Sequence, residues 1–404
     1  MNIKSLQAAL VAGSLLCSGQ ASADFDKDNL TANGFITQGF FHTDHNNVYG
    51  ESSDGGSFEF REFGLNASYR LTPKLRVAGQ LMSRKAGNLD DGEPKLDYAL
   101  LDYQFSDDPM NQYGLRLGRL KIPFGFYNES RDVAFTRPGI MLPQSLYFHQ
   151  ARDLELSVDG AIFYSYLEAP GGWVDIDLLY GKPQTDTNVE YAYLANDATG
   201  KFDDSIGYMA RAIYNYDGGR IRVGGTLAEY KLSYQPGNGP GFPADLNEFN
   251  EGDLLLDVAV LSAEYNAERW SLTGEYMIHD IDWRELGGVF SLRPQTTIQS
   301  YYLQLQYRIN QNWELMVRYD ELLLDKDDPT GTANAAVFTT KPAHTFYSKD
   351  WILGVGWSPT PDWLFRAEYH HVVGTGWVAE QDNPDPSQLE KNWNIFALQA
   401  TYRF

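Results

Sequence analysis

The residues whose types and spacing could carry chemistry are concentrated between Gly118 and Gly160. Charged side chains of both signs are interleaved there with aromatic residues and prolines over roughly thirty residues. A segment that leaves strand periodicity for this long is uncommon in a compact domain and is usually functional. We expect its charges to narrow and steer a solute path rather than to perform covalent chemistry. The candidate constriction residues are Lys121, Glu129, Arg131, Asp132, Arg137 and Arg152.

The remaining polar residues do not indicate a catalytic, metal or nucleic-acid site. No nucleophile elbow and no phosphate-cradling glycine loop occurs, which leaves a hydrolase site assembled across strands as the enzymatic alternative. Asp24, Asp26 and Asp28 have the spacing that begins a calcium loop, but the turn glycine and the distal glutamate are missing. The formal net charge of −22 disfavours nucleic acid as a partner. We therefore predict no enzyme, no metal, no cofactor and no nucleic-acid partner.

The N-terminus has the pattern of a cleaved secretory signal over residues 1–23. Lys4 supplies the charged region, Leu6 to Leu16 the apolar region, and Ala21 to Ala23 a small-residue cleavage site. Cys17, the chain's single cysteine, falls inside this signal. The mature chain, residues 24–404, is then expected to lack cysteine, which excludes a disulfide scaffold and a thiolate metal site.

Alternation of apolar and polar residues is the dominant pattern of the mature chain. It is clearest over residues 62–71, 301–309, 313–320 and 351–358, where one face is aromatic and aliphatic. The chain is 14% aromatic and has no second stretch long enough for a membrane helix. A strand that alternates between lipid and water produces this composition. The pattern predicts an all-β protein, a transmembrane antiparallel β-barrel.

The connections give the number of strands. Short turns near residues 72–74, 106–112, 169–172, 217–219, 267–268, 310–311 and 358–362 alternate with longer polar segments. The longer segments lie near residues 44–57, 86–95, 121–151, 183–203, 234–255, 283–297, 325–348 and 374–390. This asymmetry is typical of outer-membrane barrels, which have short periplasmic turns and long extracellular loops. We predict about sixteen strands, one barrel domain over residues 24–404, and a third loop that folds inward.

Aromatic residues mark the ends of the predicted strands. Trp173, Trp270, Trp313 and Trp363 each follow a short turn, which predicts a ring of interface anchors on the periplasmic side. The last strand ends at Tyr402 and Phe404, a pattern that looks like the signal read by the outer-membrane assembly machinery of bacteria. We expect that strand to pair with the first, because an open edge is not tolerated in lipid.

A basic wall is predicted on the lumen side of the early strands. A charge at the middle of the lipid face costs about 2–4 kcal/mol, so alternating arginines are expected to face the lumen. Such rings of charge are how pores select ions. The wall residues are Arg70, Arg76, Arg84 and Arg116.

The chain resembles the phosphate-selective porin O and P family. The likeness lies in the run Gly118 to Gly125, followed some thirty residues later by Ala151 to Leu154. It implies a trimeric diffusion channel in the outer membrane of a Gram-negative cell, in contact with lipid and lipopolysaccharide. Phosphate-selecting members of the family have a dense series of arginines along the channel. That series cannot be matched here, and the acidic residues Glu129 and Asp132 lie on either side of Arg131.

Two functions are open at this point. The first is a porin for passive diffusion of small hydrophilic solutes or ions, with an anion preference at the constriction. The second is a barrel for surface display, which would serve adhesion, receptor or docking roles through acidic loops. The position of residues 121–151, inside or outside the barrel, distinguishes them.

Overall fold

The computed structural model describes residues 29–194, 200–237 and 249–404. The predicted signal, residues 1–23, lies outside the described residues. Within them the chain forms sixteen strands and only short helices, none of which is long and apolar enough to cross a membrane. The strands are β1 Leu30–Thr43, β2 Ser57–Thr72, β3 Leu75–Ala86, β4 Asp90–Gln104, β5 Asn111–Lys121, β6 Ser157–Ala169, β7 Gly172–Pro183, β8 Lys201–Tyr216, β9 Ile221–Gln235, β10 Gly252–Asn266, β11 Trp270–Arg284, β12 Gln295–Arg308, β13 Trp313–Leu323, β14 Tyr347–Thr360, β15 Trp363–Gly374 and β16 Asn392–Arg403.

The helices lie in the connections. They are α1 Arg152–Leu156, α2 Thr187–Leu194 and α3 Thr332–Val337. Single 3-10 turns occur at Asn128–Ser130, Ala134–Thr136, Gly288–Ser291, Ala343–Phe346 and Pro386–Gln388.

The strands close into one antiparallel barrel in sequence order, with β16 beside β1. Thr37 lies opposite Thr401, and their hydroxyl oxygens are 2.9 Å apart. Gly34 and Phe404 exchange backbone hydrogen bonds of 2.8 and 2.9 Å, which extends the seam to the C-terminus. Every strand thus has a partner on both sides, as lipid requires. The sixteen-stranded barrel predicted from alternation is confirmed.

The connections alternate between short turns and longer loops as predicted, with one exception. The segment 86–95 was expected to be a long loop but is a tight turn of three residues, because β3 and β4 continue up to Ala86 and Asp90. Gly87 permits this turn with a φ of +55°, and a Cβ there would lie 2.4 Å from the backbone nitrogen of Gly50. A larger residue at Gly87 would therefore push the first two outer loops apart.

The two faces of the barrel wall differ in the expected way around most of its circumference. Outward side chains such as Leu227, Leu261 and Leu353 are exposed, while inward polar groups such as Gln304 and Thr401 are buried. Over part of β6 to β11 the inward face is apolar as well. The inward residues that show this are Ile162, Leu179, Met209, Val258, Val260, Met277 and Ile281.

The third loop at the long-loop end, residues 122–156 between β5 and β6, covers that apolar inner face and is called the inner loop below. It contacts side chains of β2, β9, β11, β13 and β15, strands on opposite sides of the barrel. A single loop can reach all of these strands only from within the lumen.

Candidate constriction inside the barrel

A compact cluster of charges joins the inner loop to β4 and β5. Lys121, the last residue of β5, donates to the carboxylates of both Asp97 and Asp132. Arg152, the first residue of α1, donates to the other oxygen of Asp132. The side chain of Asp132 is only 2% exposed. Three of the predicted constriction residues, Lys121, Asp132 and Arg152, are thus brought together, but as a mutually compensated cluster.

Arg131 lies inside the inner loop rather than at its surface. Its Nη1 donates to Glu155 at 3.2 Å and to Asn128 at 3.1 Å, and its Nη2 donates to the carbonyl of Tyr147 at 3.1 Å. Asn128 in turn donates to the carbonyl of Ile122 at 3.0 Å. These bonds tie the beginning of the loop to its end, so the guanidinium holds the loop's own shape.

Arg137 reaches the wall on the opposite side. Its Nη2 donates to Glu62 of β2 at 3.1 Å. Arg84 of β3 approaches the same carboxylate at 3.6 Å and also pairs with Asp90. Arg84, predicted to face the lumen, lies on the inner side of β3, where its side chain is only 5% exposed and sits between these acids and the ring of Tyr49.

Glu129 is the one predicted constriction residue that turns toward β8. Its carboxylate lies 2.8 Å from Arg211, which also pairs with Asp177 of β7 at 2.6 Å. The Glu129 side chain is 38% exposed, far more than the other acids of the loop. Of the predicted set, Glu129 is therefore the residue best placed to meet solvent in the lumen.

Wall residues that the sequence analysis missed fix the rest of the loop. Glu368 of β15 accepts from the backbone nitrogens of Ile140 at 2.6 Å and Met141 at 3.3 Å. Arg318 of β13 donates to the carbonyl of Met141 at 2.9 Å. Arg366 donates to the carbonyls of residues 134, 137 and 139.

Glu275 of β11 also fixes the inner loop to the barrel wall. It accepts from the backbone nitrogen of Phe126 at 3.0 Å and from the hydroxyls of Tyr147 at 2.6 Å and Tyr302 at 2.8 Å. A buried carboxyl group is tolerated where hydrogen bonds satisfy it, and these neutral donors do so for Glu275. Alternation places these wall residues inward, but nothing in the sequence says which of eight loops they meet.

Electrostatics of the inner loop follow from its burial. Burial alone would raise the pKa of Asp132, but Arg152 and Lys121 outweigh it and hold that pKa below the usual range. Burial raises the pKa of Glu155 to about 7 against the opposing effect of Arg131. Burial, together with Arg84 and Arg131, lowers the pKa of His149 well below its usual value. The loop therefore carries internal ion pairs and a neutral histidine rather than a surplus of positive charge.

Three of the four predicted basic-wall residues lie nearer the short-turn end of the barrel. Arg70 and Arg76 lie opposite each other on β2 and β3. Arg76 donates to Asp102 at 2.8 Å, and Arg116 lies 3.9 Å from the same carboxylate and 4.4 Å from the ring centre of Tyr164. The side chain of Arg76 is 45% exposed. Arg76 and Arg116 are thus grouped around one aspartate on the lumen side, with Arg70 on the strand beside Arg76.

The predicted anchors divide between the two faces. Trp270, Trp313 and Trp363 face outward and are 38–41% exposed, and Trp313 stacks on Trp357 at 5.7 Å. Trp173 does not join them. It lies opposite Asn215 and shares the lumen face with Asp175 and Asp177. The prediction of Trp173 as a lipid anchor is therefore wrong, because the strand parity of β7 places it inside.

Other predicted features have a clear structural position. Tyr402 and Phe404 are exposed on the outer surface of the closing strand, where Tyr402 contacts Trp363 at a ring distance of 4.9 Å. Among the described residues, no group of three or more His, Cys, Asp or Glu side chains is arranged to hold a metal ion.

The chain is similar to solved structures of outer-membrane porins. No family model and no curated protein matches the sequence. The channel DcaP of Acinetobacter baumannii is 11% identical with a TM-score of 0.60, and the match covers 94% of this chain and 99% of that one. An anion-selective porin from Comamonas acidovorans is 14% identical with a TM-score of 0.56, covering 93% and 99%. OmpT of Vibrio cholerae in its trimer form is 14% identical with a TM-score of 0.53, also covering 93% and 99%. At these identities the likeness shows the fold, a porin-type barrel.

Proposed function

We propose that this chain is an outer-membrane channel for the passive diffusion of small hydrophilic solutes or ions. The observation that carries the proposal is the inner loop, which is fixed across the lumen by wall residues on opposite sides of the barrel. A display barrel has no use for a loop anchored inside it. This position supports the porin over the surface-display alternative.

The proposal also includes how the protein is exported, assembled and placed in the membrane. Export by the signal at residues 1–23, assembly recognised through Tyr402 and Phe404, and contact with lipid and lipopolysaccharide follow from an outer-membrane barrel. A homotrimer is proposed as well, since one neighbour of the same fold is described in a trimer form. The resemblance to the phosphate-selective porin O and P family supports the inward third loop. It does not support phosphate selection, because the inner loop's cations are internally paired.

An anion preference, where present, is proposed to arise at Arg70, Arg76 and Arg116 rather than at the inner loop. Arg76 and Arg116 share Asp102 as their nearby acid, and the Arg76 side chain is 45% exposed. The side chains of Arg131 and Arg137, by contrast, are only 1% and 6% exposed. A fixed charge acts on a passing ion only within about 10 Å in 0.1 M salt. Arg76 is therefore expected to influence a passing ion more than the buried Arg131 and Arg137 do.

Reversal potentials in planar bilayers under a salt gradient test this proposal. The double variant Arg76→Gln and Arg116→Gln is expected to shift ion preference toward cations. The matched control is Lys326→Gln and Lys391→Gln, which removes the same charge from exposed positions in the outer loops and should change little. Failure of the wild-type barrel to conduct would overturn the channel. Equal shifts in both variants would instead remove the arginine wall as the source of selectivity.

A further inference from the structure

A second feature lies on the opposite side of the inner loop from the arginine wall. A cavity of about 210 Å³ lies between the inner loop, the inner face of β11 and the outer loops. Leu146 and Phe148 of the inner loop form part of its lining, and Tyr193 of α2 and Phe338 of the seventh loop contribute from above. A solute that enters from the loop side would meet this cavity before the constriction.

The lining is aromatic and apolar to a degree that a hydrophilic channel does not require. Trp283 and Phe290 stack at 4.8 Å with an interplanar angle of 12°. Met277, Ile281 and Leu322 complete the apolar surface between the ring systems. Small-molecule sites are mostly apolar concavities with a few placed polar groups, which is the character of this cavity.

Two polar atoms of the lining residues, Oγ of Ser145 and Nε2 of His279, have no hydrogen-bond partner among the described residues, and the Ser145 side chain lies beside Asp320. His279 lines the cavity and is only 7% exposed, and its Nε2 has no hydrogen-bond partner. Its ring meets Tyr193 in a T-shaped contact at 6.1 Å, which fixes its orientation without satisfying the nitrogen. A buried polar group in this condition calls for an explanation such as a bound water or ligand.

The charged groups of the lining are already compensated. Glu155 pairs with Arg131, and Lys341 of the seventh loop pairs with Glu380 of the eighth. Arg293 pairs with Asp325 at 2.9 Å. An ionic ligand would have to break one of these pairs, whereas a neutral ligand would not. The cavity therefore favours an uncharged aromatic molecule with a single hydrogen-bonding group.

We propose that this cavity is a binding site for neutral aromatic alcohols of the phenol or naphthol class, with their hydroxyl on His279. The rings would occupy the cleft near Trp283 and Phe290, and the hydroxyl would bond to a ring nitrogen of His279 that faces the cavity, as donor or acceptor according to the imidazole tautomer. The role of the site in uptake rests on the proposed channel function. Binding itself does not.

Equilibrium dialysis of labelled 2-naphthol against the barrel in lipid nanodiscs tests binding independently of conduction. The expected result is one saturable site above the uptake of empty nanodiscs. His279→Leu should weaken 2-naphthol about fivefold relative to naphthalene, the effect of one net hydrogen bond of about 1 kcal/mol. His371→Leu is the matched control, since His371 is exposed and bonds Asn394 outside the cavity. Ala192→Trp, which fills the cavity from α2, should abolish saturable binding.

The outcomes separate the two proposals. Uptake by the wild type no greater than that of empty nanodiscs overturns the aromatic site even where the barrel conducts ions. Equal affinities of His279→Leu and His371→Leu for 2-naphthol overturn the role of His279. Saturable binding without ion current would retain the site and overturn the channel. Heat-modifiable migration on gels confirms that each variant has formed a barrel.

Discussion

The two halves of the barrel wall hold the inner loop by different chemistry. Along β6 to β12 the loop packs Ile122, Phe124 and Leu146 into a continuous apolar cluster with inward wall residues. Along β13 to β15, and at β2, it is held mainly through hydrogen bonds and ion pairs from Arg318, Arg366, Glu368 and Glu62. Polar contacts also occur on the apolar side, from Glu275 of β11 and from Arg211 of β8.

The two kinds of contact affect the inner loop differently: apolar packing holds it against the wall, whereas hydrogen bonds fix its position. Apolar contact is non-directional and roughly proportional to the area removed from water, so it holds the loop against one side without fixing each atom. Charge-assisted hydrogen bonds to backbone groups are short and directional. The polar half therefore determines how far the loop extends into the lumen, and with it the width of the path.

The largest effect is expected from Glu368→Ala on the polar half. The variant leaves the backbone nitrogens of Ile140 and Met141 without their acceptor and removes a partner of His370. Breaking a buried charge network by removing one partner costs about 3–5 kcal/mol. Single-channel recordings should show a larger and noisier conductance, because this corner of the loop is released.

Glu321→Ala is the control for that prediction. Glu321 carries a similar set of bonds, from Tyr301, Tyr319 and Lys349, but lies closer to solvent. Its removal should cost about 1 kcal/mol or less and leave conductance unchanged. If both glutamate variants conduct like the wild type, the polar half does not position the loop.

A somewhat smaller effect is expected from Leu146→Ala on the apolar half. Leu146 is fully buried, and truncation of such a leucine costs about 3 kcal/mol through lost transfer energy and the cavity left behind. The loop remains pinned by Glu368 and Arg318, so conductance should change little while resistance to denaturant falls. Leu227→Ala, on the exposed outer face, is the control and should affect stability less. A conductance change as large as that of Glu368→Ala would erase the distinction between the halves.

The comparison also explains what could be predicted from the sequence. Alternation and turn spacing give the barrel and its strand number, because lipid outside and water inside impose a period of two. Alternation of apolar and polar residues is lost over residues 254–261, Leu-Leu-Leu-Asp-Val-Ala-Val-Leu, where both faces of the strand are mainly apolar. Such a run indicates a strand covered on both sides. That signal was available, and it marks where the inner loop lies.

The constriction was predicted less well than the barrel. The sequence draws attention to residues 121–152, but it does not reveal that Arg131 and Arg137 are paired with Glu155 and Glu62. Glu62 lies 75 residues before Arg137, and the pairing depends on the course of the loop. Contacts of this separation are set by tertiary structure, which local spacing does not encode.

The smallest loss of stability is expected from substitutions of two tryptophans at the short-turn end. One lies on each half of the barrel wall, so the pair tests both halves. Trp313 on β13 faces outward and stacks on Trp357, whereas Trp173 on β7 faces the lumen. Trp313→Asp should lower the free energy of unfolding in lipid vesicles by about 1–2 kcal/mol, through lost stacking and a charge placed at the lipid interface. Trp173→Asp should cost less, because an aspartate at that position joins Asp175 in the aqueous lumen. Urea titrations followed by gel migration measure both. Equal losses would mean that Trp173 contacts lipid after all, and that the inward face of β7 has been assigned to the wrong side.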